Sequence, residues 1–129
     1  LDGTDGFAMN RPGWAMPIHQ LLVQNGVSVV FHGHDHLFAY QTLDGVVYQE
    51  CPQPNVRDRN ADTLSQAYHY FNGEILGSSG HIRVRVTPEK VTVEYIQAVL
   101  PEDEKPGNEN GSVAFSYNVF PAARSSLNP

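Results

Sequence analysis

His34 and His36 stand one residue apart around Asp35, directly after Gly33. Imidazole nitrogen is a good ligand for zinc, iron and manganese, and open catalytic metal sites are built largely from such groups. Two histidines do not complete such a centre, and no other residue of the chain accompanies them at ligand spacing. They are expected to form one wall of a metal site whose other walls lie elsewhere. His32, His34 and His36 alternate, so a strand running through all three would place them on one face. Gly33 argues instead for a turn that frees the backbone to aim His34 and His36 at two different ions. Asp35 and His32 are the candidates for a supporting role behind these ligands, orienting an imidazole rather than binding metal.

The remaining reactive groups are expected to be structural. His19 falls within an amphipathic segment and reads as a surface or packing residue, while His69 and His81 lack a partner at ligand spacing. Cys51, the single cysteine, excludes an internal disulfide and any cysteine-rich zinc site, and reads as a buried thiol. Asp58 and Asp62 are expected to serve solubility. Ser78 and Ser79 have no base and orienting acid beside them in sequence, and the Asn110-Gly111-Ser112 sequon carries no weight. No catalytic side chain is assigned within the segment.

Several elements must position the histidines. Ala15, Ile18, Leu21 and Leu22 recur at helical spacing over residues 15–25, with Pro17 in the first turn and Gly26 at the C-terminal cap. Residues 27–31 are nearly all apolar, the pattern of a strand buried on both faces, and the histidines follow at its C-terminal edge. Residues 37–42 and 46–50 flank Asp44-Gly45, a strong hairpin signal. A polar loop over 51–63 and a short helix over 63–71, ended by Asn72-Gly73, come next. A second hairpin pairs 82–87 with 91–95. Residues 101–111 read as an acidic linker, and 113–119 as a last strand returning to the sheet. The fold class is α/β, mostly antiparallel after one helix and one buried strand. Several strands would present open edges, which invite pairing with another chain or a second copy.

The chain has 8 basic and 14 acidic residues and a net charge of −6. Arg57-Asp58-Arg59 is charge-compensated and Arg83 and Arg85 alternate in a strand pattern, so nucleic acid is not expected as a main partner. No apolar run reaches the roughly 18 to 20 residues of a membrane span, and no secretory signal is present. Leu1 in place of an initiator methionine is consistent with a processed chain, a cloned segment or a fragment. Location is open, with a periplasmic or secreted parent slightly favoured.

The run from Gln20 through Asn25-Gly26-Val27, a buried strand and Gly33-His34-Asp35-His36 resembles the last metal-binding motif of the calcineurin-like binuclear metallophosphoesterases, a family that includes purple acid phosphatases. Asp44-Gly45-Val46-Val47-Tyr48 and the strand from Lys90 to Tyr95 also fit that family's C-terminal sheet. The resemblance implies the C-terminal half of a four-layer α/β/β/α sandwich. It implies that His34 binds one ion and His36 the other, the pair (iron, zinc or manganese) lying about 3.5 to 4 Å apart and clamping a phosphate mono- or diester. The family's upstream motifs, Asp-x-His, Gly-Asp-x-x-Asp and Gly-Asn-His-Asp/Glu, are absent, and Gly107-Asn108-Glu109 repeats the third only in part. The whole of 1–129 is therefore expected to be an incomplete domain, inactive alone and holding metal weakly or not at all. The alternative is a non-catalytic β-rich binding or accessory module with an incidental or structural metal site.

Overall fold

The computed structural model describes residues 6–55 and 61–121. The chain is mixed α/β, with two sheets and few helices. A single turn of helix, α1 (Phe7–Asn10), precedes α2 (Ile18–Gln24). Gly26, at φ 65°, closes α2: its own N–H and that of Val27 bond back to Val23 and Leu22. The helix is shorter than residues 15–25, and Ile18 and Leu21 of its apolar stripe are exposed rather than packed.

The first sheet has the order β1-β3-β2-β4, built from β1 (Val29–His32), β2 (Phe38–Leu43), β3 (Val46–Glu50) and β4 (Glu74–Leu76). β2 and β3 form the expected hairpin, with Asp44 at φ 48° and Gly45 at φ 80°. Two consecutive left-handed residues match the right-handed twist of the flanking strands, which is why Asp-Gly marks this turn. β1 runs parallel to β3, with Val29 opposite Val47 and His32 opposite Glu50. The expectation that β1 is buried on both faces is not met. It is an edge strand, and Phe31 is 45% exposed. An apolar run reports what a strand can bury, not whether a neighbour is there to bury it.

The second sheet, β5-β6-β7, is antiparallel throughout, from β5 (Gly80–Val86), β6 (Val91–Gln97) and β7 (Val113–Val119). Gly80 opens β5 where a Cβ would collide with Ile96 O and the Tyr95 ring, so no larger residue fits. The two sheets meet through aromatic rings. Phe38 of β2 stacks on Tyr95 of β6 with centroids 4.8 Å apart, and Tyr40 meets Phe115 and Tyr117 of β7. Leu37, Phe38, Ala39, Val46, Val93 and Tyr95 are the most buried apolar side chains.

Two connections differ from expectation. α3 (Ala61–Tyr68) starts earlier than residue 63 and stops at His69, whose φ of 63° and the closing bond from Tyr70 N–H to Ser65 O end the helix before Asn72-Gly73. Residues 101–111 are a hydrogen-bonded cap rather than a linker: a 3₁₀ turn (Pro101–Asp103) is followed by bonds from Asn110 N–H to Glu104, from Val99 N–H to Asn110 Oδ1 and from Gly111 N–H to Gln97 O. β4 is three residues long and left no signal in sequence. Among the described residues, no helix is long and apolar enough to cross a membrane.

Candidate metal centre

β1 ends at His32 and the chain bends over residues 34–37; Gly33 itself takes no left-handed conformation, so the turn does not rest on the freedom of its glycine. His34 follows at φ 130° and His36 at φ 62°. Residues other than glycine are uncommon in this half of backbone space, asparagine, aspartate and histidine less so than the rest, and a residue held there can cost of order 1–3 kcal/mol. Two histidines in three residues take that cost here. The sequence supplies no local device, such as a glycine at 34 or 36, that would remove it.

Neighbouring elements impose the shape instead. Glu50, the last residue of β3, lies fully buried beneath the turn. Its Oε1 accepts the Asp35 N–H at 2.9 Å. Its enclosed Oε2 lies 2.5 Å from His32 Nδ1 without forming an aligned hydrogen bond. The next residue, Cys51, donates its N–H to His32 O at 2.7 Å. From the loop before β5, the buried Ser78 hydroxyl donates to His36 O at 2.6 Å and accepts the Gln53 N–H at 2.9 Å. The exit of α3 brings Tyr70 to Asp35, its hydroxyl donating to Oδ2 at 2.7 Å.

Asp35 also receives His34. Its Oδ1 lies 3.0 Å from His34 Nδ1. Burial pushes the Asp35 carboxyl up, but the hydrogen bonds from His34 and Tyr70 and the charges of His34 and His32 outweigh it and hold it below its ordinary value. An ionised carboxylate only accepts, so Nδ1 carries a proton, and in the neutral ring Nε2 is the nitrogen with the open lone pair. The imidazole is 82% exposed, with its edge against the Tyr68 ring. A carboxylate behind one nitrogen and an open lone pair on the other is the usual arrangement of a metal-binding histidine. The donor chemistry thus fits a zinc-, iron- or manganese-type ion. His36 is likewise exposed, and its carbonyl rather than its ring is tied down.

The turn thus brings together His34, Asp35 and His36, with His32 behind them. It does not bring a full ligand set: among the described residues, no group of three or more His, Cys, Asp or Glu side chains is placed to hold an ion. Burial, then the Glu50 charge, pushes the Cys51 thiol up, which suits an unreactive half-buried thiol. His19 is more than a packing residue. Its Nε2–H donates to Asp44 at 3.0 Å and its Nδ1 accepts the Tyr48 hydroxyl at 2.7 Å, so it clasps α2 to the β2–β3 hairpin. Asp58 lies outside the described residues.

Sequence reasoning passed over Glu50 and Tyr70 and weighed Ser78 only as a nucleophile. Glu50 left one signal: a carboxylate at the end of the otherwise largely apolar run Val46, Val47, Tyr48 is misplaced unless something beneath the turn needs it. Tyr70 and Ser78 left none, because their roles arise from elements folded against the turn. No protein-family model, curated protein or solved structure matches the chain.

Proposed function

We propose that this chain is the C-terminal portion of a binuclear metallophosphoesterase, supplying His34 to one ion and His36 to the other. The observation that carries the reading is the histidine turn itself: two exposed imidazoles on left-handed backbone, one with its Nδ1 on Asp35 and its Nε2 open. Two ions in such a site neutralise a phosphate ester and supply hydroxide as the nucleophile. The residues of this chain hold and orient. Asp35 sets the tautomer of His34, and Ser78 and Glu50 fix the backbone around both ligands. Neutral imidazoles leave the charge of the ions available to polarise phosphate.

The bridging carboxylate and the remaining ligands then come from polypeptide beyond these residues. The open side of β1 supports this reading. Its apolar side chains Val29 and Phe31 line a groove of about 410 Å³ together with Val84, Val86, Val91 and Val119 of the second sheet. A parallel strand is ordinarily covered on both faces. In the proposed parent, β1 is an inner strand, α2 lies on an outer layer, and the two sheets form the middle of a four-layer α/β/β/α sandwich.

The experiment begins at the encoding gene. It should carry Asp-x-His and Gly-Asn-His patterns within about 150–200 residues upstream, on the scale of one domain. The polypeptide spanning both regions should hydrolyse a generic phosphate ester with added manganese, and His34→Ala or His36→Ala should cut that rate at least tenfold. The chain alone should show no turnover. Clear turnover by the chain alone contradicts the proposal, and an encoding gene without these patterns contradicts it in favour of a non-catalytic β-rich module.

A further inference from the structure

Among the described residues, Glu50 is the one carboxylate with a fully buried side chain, and nothing in the proposed hydrolysis uses it directly. Moving a carboxylate out of water is unfavourable unless its oxygens are engaged, a desolvation cost that an apolar residue of similar size does not carry. Its two oxygens are not spent on the strand that carries it. They reach to either side of Gly33: Oε2 to the His32 ring and Oε1 to the Asp35 amide. Gly33 has open space around its Cα, so packing against that residue does not hold the turn. The backbone of the next residue, Cys51, adds a third tie from the same strand end.

We propose that Glu50 is the positioning residue of the histidine turn, holding His34 and His36 in a ligating arrangement before any ion arrives. The inference rests on the reading of that turn as half of a metal site. Order already present in the protein need not be paid for on binding, so a turn held by Glu50 takes up an ion more tightly than a free one. Glu50 does not touch the ion. It acts through the Asp35 amide, which lies between the two ligands, and through His32, which anchors the start of the turn.

The test compares the wild-type chain with Glu50→Gln, which keeps the shape and an acceptor for the Asp35 N–H, and Glu50→Leu, which keeps the volume and removes the acceptor. Two readouts are taken by NMR: amide hydrogen exchange in metal-free protein, and the shifts of the His34 and His36 rings on titration with zinc chloride. Glu50→Leu should speed exchange of the Asp35 amide at least tenfold, with β5 and β6 amides unchanged. It should weaken zinc binding by about 10- to 100-fold, the range for lost outer-shell partners of metal ligands. Glu50→Gln should stay within about threefold of wild type on both readouts, since a side-chain amide oxygen still accepts from Asp35. Wild-type exchange and affinity in Glu50→Leu would overturn the proposal. If that variant does not fold, Glu50→Asp replaces it; retraction of the carboxylate by one methylene should loosen the Asp35 amide, and wild-type behaviour would overturn the proposal equally. If zinc shifts neither histidine in the wild-type protein, the metal reading fails, while the exchange data still decide whether Glu50 holds the turn.

Discussion

Two turns at opposite ends of the first sheet adopt left-handed backbone, and they do so for different reasons. The β2–β3 turn uses Asp44 and Gly45, residues that enter this region readily, and no neighbour needs to hold it. The turn after β1 uses His34 and His36, which enter it at a cost, and three separate elements hold it through Glu50, Tyr70 and Ser78. The first turn is a connection. The second stores strain where the two proposed ligands are exposed, the pattern expected when a site is shaped for a partner rather than for stability. His19 joins the comparison from outside, because its bond to Asp44 ties the connecting turn to α2 without altering its backbone.

Substitutions break or sharpen this contrast. Ser78→Ala should have the largest effect, about 2 kcal/mol by urea unfolding, because it leaves the Gln53 N–H without its acceptor and His36 O without its donor in a buried setting. An effect below about 0.5 kcal/mol would mean the histidine turn holds itself. Gly45→Ala should cost about 1–2 kcal/mol, since the connecting turn depends on its own glycine at φ 80°. Tyr70→Phe should cost about 1 kcal/mol and shift the His34 ring resonances, because Asp35 loses one of its two donors. His36→Gly should reverse the sign. Removing the side chain from φ 62° should raise stability by about 1 kcal/mol while removing a proposed ligand. A destabilised His36→Gly would show that the turn carries no strain.

The sequence disclosed the connecting turn and the second hairpin fully, because Asp-Gly and the alternation of Ile82, Val84 and Val86 with Arg83 and Arg85 are local signals. It disclosed the histidine pair and the end of β1 for the same reason, but not that His34 and His36, rather than Gly33, take the left-handed backbone. It did not disclose that β1 lies at an edge, since Val29, Val30 and Phe31 read identically in a central strand and in one awaiting a neighbour. Nor did it disclose the supports of the site. Tyr70 and Ser78 lie 35 and 42 residues from their partners, and only the folded sheet brings them there. The cap over 101–111 looked like a linker because glutamate and asparagine are common in loops, yet Glu104 and Asn110 each accept a backbone N–H.

The central claim is that the turn at residues 33–36 is a metal half-site, and ring-nitrogen NMR tests it most directly. Zinc chloride is added to the metal-free chain while the imidazoles of all six histidines are followed. Coordination shifts should appear at His34 Nε2 and on the His36 ring, with His34 Nδ1 still protonated and His19, His69 and His81 unchanged. Equal shifts at every exposed histidine, or none at His34 and His36 up to millimolar zinc, would contradict it.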